Sequence, residues 1–261
     1  MLLKLLACNV FQREACLCIA RSPHVIDVEF FELGEHAQPS RLNQTLQAKI
    51  DEAENAAKTY AAILLLYGLC GNATIGLQAR HTRLVLPRAH DCCTILLGSK
   101  QRFQEHFQDN PSRPFSSVGY MERGNYFLRT DADGGHVHYG DQFAALVEQY
   151  GEENAKYIWD SMHPQELEQK NNEVVFLDLP ETAALGSADR FREKAAEEGK
   201  TCIHMDGSLA LIRKLLDGDW DPNEFLVVEP GQQTVGVYDW TEIIRAKPEK
   251  GPGDAPSNKT V

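Results

Sequence analysis

Residues 61–76 read AAILLLYGLCGNATIG, and this stretch decides the fold. Its first seven residues are apolar at nearly every position, which is typical of a strand that is covered on both faces of a sheet. Glycines at positions 68, 71 and 76 then allow the backbone to turn tightly. A buried strand that runs into such a turn predicts a parallel sheet whose strands are connected through helices.

The same alternation of short apolar runs with segments of helical period continues along the chain. It predicts an α/β protein with a Rossmann-like layered fold, in which a mostly parallel sheet has helices on both faces. The other predicted strands lie near residues 2–8, 25–31, 83–86, 173–177, 201–205 and 225–228. The predicted helices lie near residues 12–21, 40–58, 91–108, 141–161, 187–198 and 207–216.

We expect one α/β domain over residues 1–247. Within it, residues 110–138 are rich in Pro, Gly and Asp and have little periodicity, which predicts a long excursion from the sheet that covers a site. The last residues, 248–261, are poor in apolar side chains and are predicted to form a disordered tail.

Composition narrows the classes of function. The chain carries 38 acidic and 26 basic residues and a formal charge of -12, so we expect no nucleic-acid partner. No segment approaches the roughly 18 apolar residues that span a bilayer, and the N-terminal run is too short for a signal peptide. Seven cysteines, an odd number, then favour reduced thiols and a cytoplasmic protein.

Cysteine and histidine residues follow three of the predicted strands. Cys8 ends the first strand, Cys70 follows the strand at 61–67, and His90, Cys92 and Cys93 follow the next one. Ligands of parallel sheets bind beyond the carboxyl ends of the strands. We therefore predict a working site centred on Cys70, His90 and Cys92 as catalytic residues.

A metal ion is the first interpretation of this site. His90 and Cys92 stand two residues apart, and together with Cys70 they offer three ligands that suit zinc and leave a fourth position open, as in catalytic zinc sites. Cys8 is the leading fourth metal ligand. The concrete version of this interpretation is a zinc enzyme that activates a thiol or transfers a methyl group to or from a small molecule.

The segment YGLCGN and the residue Arg88 predict contacts with a bound small molecule or cofactor. Gly68, Gly71 and Asn72 can bring the backbone close to a ligand, and Arg88 can bind a carboxylate. The alternative is a glycine turn that joins strand to helix beside a buried cysteine, with Arg88 in a surface ion pair. The spacing matches neither a dinucleotide fingerprint nor a P-loop.

Three other interpretations stay open. Cys70 or Cys92 can act without metal as the nucleophile of a hydrolase or isomerase, and aspartate and glutamate racemases resemble this arrangement although their two-lobed repeat is not evident. The chain can also be a non-catalytic accessory protein that binds a metal or cofactor, and an iron–sulfur cluster is a weaker option.

Side chains of the predicted excursion can reach the cleft at the ends of the strands, namely Tyr120, Glu122, Arg123, Asn125 and Tyr126.

Three segments together resemble the DUF1638 family of bacteria and archaea: YGLCGN at 67–72, RAHDCCTILLGS at 88–99 and LIRKLLDGDWDPNEFLVVEPG at 211–231. The resemblance implies an association with corrinoid-dependent methyl transfer, and therefore a possible corrinoid or corrinoid-protein partner. The sequence departs from the family at residues 123–126, RGNY, where a Gly-Thr-Tyr type of segment is expected.

Overall fold

The computed structural model describes residues 1–32, 39–111, 113–123, 173–237 and 239–248. The strands in these ranges are β1 (Leu2–Cys8), β2 (Val25–Phe31), β3 (Ala62–Leu66), β4 (Gln78–Ala79), β5 (Leu84–Pro87), β6 (Phe115–Ser117), β7 (Glu173–Asp178), β8 (Thr201–Asp206), β9 (Phe225–Val228), β10 (Gln232–Gly236) and β11 (Ile244–Pro248). The helices are α1 (Gln12–Ile19), α2 (Pro39–Glu54), α3 (Cys92–Leu97), α4 (Lys100–Phe107), α5 (Val118–Arg123), α6 (Ser187–Glu197) and α7 (Ala210–Asp217).

The central sheet has the strand order β2-β1-β3-β5-β9. Its first four strands are parallel, with Leu5 opposite Val28 on one side and Leu64 on the other, whereas β9 is antiparallel to β5. All of β3 and β5 is buried, as their continuous apolar sequence predicts. The protein is therefore a mixed α/β fold with a mostly parallel central sheet.

A second parallel sheet has the order β6-β7-β8. The predicted strands at 173–177 and 201–205 are present, but they belong to this sheet and not to the central one. They separate because Val174 and Phe176 of β7 pack with Phe191 and Ala195 of α6 in a small core of their own. A third sheet, β11-β10-β4, is antiparallel.

Helix ends differ from the predicted ones where glycine intervenes. The predicted helix at 91–108 is two helices, because Gly98 ends α3 with a φ of 80° and the Ser99 side chain caps α4 by accepting a hydrogen bond from the Arg102 N–H. Helix α2 buries Leu42, Leu46 and Ile50, which recur every four residues along one face.

Several predictions fall partly outside the described residues. The predicted excursion at 110–138 is described only as far as residue 123, and that part contains β6 and α5. The predicted helix at 141–161 and residues 249–261 of the predicted tail lie outside the described ranges. The single domain over residues 1–247 stays a prediction. In the described ranges, no helix combines the length and the hydropathy that a membrane crossing requires.

The carboxyl end of the second sheet meets the carboxyl end of the central sheet through α5. This helix follows β6 directly and lies against the short 3-10 turn Asn9–Phe11 that follows β1. The approach is so close that a Cβ atom at Gly119 would be 1.7 Å from the carbonyl oxygen of Val10. The glycine therefore decides how near α5 comes to the end of β1.

Candidate functional site

Two adjacent strand ends bring Cys70 and Cys92 together. Beyond β3 and β5 the chain continues as a paired loop, in which the Leu69 N–H donates to the Ala89 carbonyl at 2.9 Å and the Cys70 N–H donates to the His90 carbonyl at 3.3 Å. Cys92 then begins α3. The two cysteines consequently lie side by side at the carboxyl edge of the sheet, where parallel sheets bind ligands.

We call Cys8, Cys70, Cys92 and Tyr120 the thiol cluster. The three cysteines are 0%, 9% and 2% exposed, and Tyr120 on α5 is partly buried. The hydrogen bond with Cys92 raises the pKa of the Cys70 thiol, as do burial and the nearby Cys8. Burial raises the pKa of the Tyr120 hydroxyl, and the proximity of Cys92 and Cys8 raises it further.

Cys92 is the common neighbour within the cluster. A side-chain hydrogen bond with Cys92 contributes to the raised pKa of both the Cys70 thiol and the Tyr120 hydroxyl. A raised pKa keeps the proton on the group, so both groups are neutral at pH 7. Two neutral, protonated side chains therefore lie against Cys92.

The backbone at Cys70 is strained. Its φ is 47°, in the left-handed region, and it is followed by Gly71 at 67° and Asn72 at 70°. The Ala73 N–H closes this turn by donating to the Cys70 carbonyl at 3.4 Å. A residue other than glycine costs about 1–2 kcal/mol in that conformation, and such strain is found most often at functional sites. A cofactor-binding role for Gly71 and Asn72 stays a prediction.

Gly68 allows the two loops to approach. A Cβ atom at this position would be 2.7 Å from both the Cα and the nitrogen of Asp91, and 2.9 Å from the carbonyl oxygen of Ala89. Asp91 is held in place because its carboxylate accepts a hydrogen bond from the Thr94 N–H at 3.1 Å and so caps α3.

Substitution of Gly68 by alanine should therefore lower the free energy of unfolding by about 2 kcal/mol, since backbone on both sides must shift. Urea denaturation of the Gly68→Ala variant measures this loss. Gly76→Ala is the control, because nothing lies within 4 Å of the added methyl group there and only its positive φ is unfavourable. Equal stability losses in the two variants would contradict the role of close approach at Gly68.

His90 lies in an aromatic environment. Its ring centroid is 5.3 Å from that of Phe103 and 5.1 Å from that of Trp240. Burial lowers its pKa to about 4, and the nearby Asp239 opposes this shift. The imidazole is therefore neutral at pH 7. Its predicted roles as a metal ligand and a catalytic residue stay predictions.

Arg88 binds the C-terminal part of the chain. Its guanidinium donates to the carbonyl oxygens of Pro222 at 2.8 Å and Glu242 at 2.9 Å, and also to that of Ile244. Burial lowers the pKa of this arginine. Three backbone acceptors give Arg88 a structural role in attaching residues 242–244 to the loop before His90. Its predicted role in binding a ligand carboxylate stays a prediction.

The structure places one side chain of the predicted excursion at the site and reveals one that we did not predict. Tyr120 belongs to the thiol cluster, whereas the sequence only indicated that it can reach the cleft. Glu14 on α1 is buried, and no sequence pattern singles it out. The charges that act on it include Glu122 of α5, which is more than a hundred residues away in the chain.

The sequence predicts a metal site at Cys70, His90, Cys92 and Cys8. Among the described residues, no group of three or more His, Cys, Asp or Glu side chains has a geometry suited to a metal ion. Cys92 and Cys8 lie near Cys70. A zinc site with His90 stays a prediction.

A comparison with protein families gave one match. A family model described as "Protein of unknown function (DUF1638)" matches residues 30–216. This range includes Cys70, Cys92 and Tyr120 and begins after Cys8. No curated protein and no solved structure matches the chain.

Proposed function

This chain belongs to the DUF1638 family, and we propose that it is a cysteine-dependent enzyme that acts on a small molecule at the thiol cluster. Cys92 is the nucleophile, and Tyr120 and Cys70 are the protonated groups around it. The observation that carries the proposal is that both groups form side-chain hydrogen bonds with Cys92. A thiolate is the reactive form of cysteine, and Cys92 begins α3, where the partial positive charge of a helix N-terminus attracts negative charge.

The chemistry of these groups indicates the class of reaction. Attack of the Cys92 sulfur on an electrophilic carbon places negative charge on a neighbouring substrate atom, and the Tyr120 hydroxyl is a neutral acid that can give that atom a proton. Cys70 keeps its proton because its pKa is raised, so it adds no second negative charge beside Cys92. A hydrolase or an isomerase can use this set of groups without a metal.

The layered arrangement supports a further part of the proposal. β3 and β5 are buried at every residue, which requires cover on both faces of the central sheet. We propose that the layers are Rossmann-like, with helices on both faces. The thiol cluster then occupies the position at which such sheets bind small ligands.

The proposal predicts selective reactivity among buried cysteines. Iodoacetamide should modify Cys92 about ten-fold faster than Cys70 or Cys93, because the pKa of the Cys70 thiol is raised by Cys92 and by burial and that of the Cys93 thiol by burial, so these two thiols stay protonated. Tandem mass spectrometry of timed samples distinguishes the neighbouring residues. The Tyr120→Phe variant should lower the rate at Cys92, since it removes the hydroxyl alone.

Exposed Cys16 is the internal control for reagent quality and for the integrity of the fold. Labelling of Cys16 should be the same in the wild type and in Tyr120→Phe. If Cys93 reacts as fast as Cys92, or if Tyr120→Phe leaves the rate at Cys92 unchanged, Cys92 is not the activated nucleophile.

Zinc is the second candidate, because Cys92 and Cys8 both lie near Cys70 at the carboxyl ends of parallel strands. A bound zinc ion would supply activation of a thiol substrate, with corrinoid-linked methyl transfer as its concrete version. Metal analysis of protein prepared without chelators tests this candidate. About one zinc per chain, lost in Cys92→Ser and kept in Cys16→Ser, supports it, whereas metal-free wild-type protein rejects it.

A further inference from the structure

Glu14 is a buried carboxyl group on α1. It is 1% exposed, and neither of its carboxyl oxygens has a hydrogen-bond partner among the described residues. Burying an ionised carboxylate is costly unless it is paired, so such groups are rare in folded proteins. Because burial of this carboxyl group is costly when it is ionised, we look for a role of Glu14 other than stabilisation of the fold.

The charges that act on Glu14 come from three parts of the chain. Arg13 adjoins it on α1, α5 contributes Glu122, and the connection after β7 contributes Glu181. Glu122 in turn lies near Arg123 of the same helix and Arg190 of α6. The Arg13 guanidinium forms three hydrogen bonds of 2.7–2.9 Å with the Glu122 carboxylate. Arg213 forms an ion pair with Glu181.

These ion pairs leave Glu14 beside two carboxylates. Burial raises the pKa of Glu14 to about 7, repulsion from Glu122 and Glu181 adds to the increase, and attraction by Arg13 opposes it. Glu14 is therefore neutral in the closed structure at mildly acidic pH. Loss of its proton adds a third negative charge beside those of Glu122 and Glu181.

Helix α5 connects this charge to the thiol cluster. The same helix carries Glu122, which faces Arg13 and Glu14, and Tyr120, which contacts Cys92. It is only six residues long, and Gly119 in it lies directly against the Val10 carbonyl. A displacement that moves Glu122 away from α1 must also move Tyr120 away from Cys92.

We propose that Glu14 is a proton-controlled latch for α5. With Glu14 protonated, α5 stays closed on the turn after β1 and Tyr120 stays in contact with Cys92. With Glu14 ionised, water enters between α1 and α5 to hydrate the carboxylate, α5 opens, and the thiol cluster becomes accessible. The latch rests on the burial of Glu14 and on the Arg13–Glu122 ion pair that joins α1 to α5, whereas its effect on reactivity rests on the proposed function.

Hydrogen–deuterium exchange of the full chain tests the latch. After correction for intrinsic rates, the protection of the amides in residues 118–123 should fall about ten-fold or more from pH of about 5.5 to about 8.5. The Glu14→Gln variant should show no such fall. Glu105→Gln on the exposed face of α4 removes an equal charge elsewhere and should behave like the wild type.

A constant protection of residues 118–123 across this pH range in the wild type would overturn the proposal, and so would an equal fall in Glu14→Gln. If Glu14→Gln does not fold, carbon NMR of the wild-type protein with isotope-labelled glutamate measures the titration of each carboxyl group and tests the latch. One glutamate carboxyl should then titrate near pH 7, whereas titration of all of them near about 4.5 overturns the latch. Neither readout depends on Cys92, so failure of the thiol hypothesis is recognised separately by its labelling pattern.

Discussion

Replacement of Gly119 by alanine should lower the free energy of unfolding by about 3 kcal/mol. The added methyl group would lie 1.7 Å from the Val10 carbonyl oxygen and 2.7 Å from the Val10 carbonyl carbon. Both atoms belong to the backbone, so no side-chain rotation relieves the overlap. Helix α5 must move away from the turn after β1, and this movement also breaks the contact between Tyr120 and Cys92.

Urea denaturation measures the stability of Gly119→Ala, and Gly199→Ala is the matched control. Nothing lies within 4 Å of a methyl group at Gly199, and its φ of 70° alone predicts a loss of about 1 kcal/mol. The iodoacetamide rate at Cys92 should change only in the Gly119 variant. A Gly119 variant as stable as the Gly199 variant would show that α5 is not closely docked.

Substitution of Glu14 by glutamine should remove a pH-dependent loss of stability of about 3 kcal/mol. The pKa of Glu14 is raised from 4.5 to about 7 in the folded chain, mainly by burial. Between these two values the folded state holds a proton that the unfolded state has released. The contribution of Glu14 to stability therefore falls as the pH rises from 4.5 to about 7, and stays at its low value above pH 7.

The measurement is the difference in unfolding free energy between Glu14→Gln and the wild type over this range, because other titrating groups cancel in the difference. The Glu14→Gln variant should become more stable relative to the wild type as the pH rises. If α5 opens before the chain unfolds, the gain is limited to the free energy of that local opening. A pH-independent difference would show that Glu14 is solvated in the folded protein.

Much of the central sheet can be predicted from local sequence. Residues 61–67 and 83–86 are apolar at nearly every position, and they form the fully buried strands β3 and β5. Because these strands are parallel, the residues that follow them lie at the same edge of the sheet. This is why Cys70 and Cys92, which are far apart in the chain, are predicted to meet at one edge.

The division into sheets could not be predicted in this way. The strand at 173–178 has the same kind of apolar pattern as the central ones, yet it pairs with β6 and with the strand at 201–206 in a second sheet. An apolar pattern reports that a strand is buried, but not which strand is beside it. The small core that includes Phe176 and Phe191 decides that pairing.

The sequence by itself determined the α/β class, the buried strands and the cysteines at their carboxyl ends, because strand period and turn residues act over a few neighbouring positions. Only the tertiary structure decided that Tyr120 completes the thiol cluster, that the His90 ring lies against Phe103 and Trp240, and that Glu14 is buried. These properties arise where segments that are distant in the chain pack together. The local sequence does not specify which residues become neighbours there, and those neighbours determine the effect of a glycine or a charge.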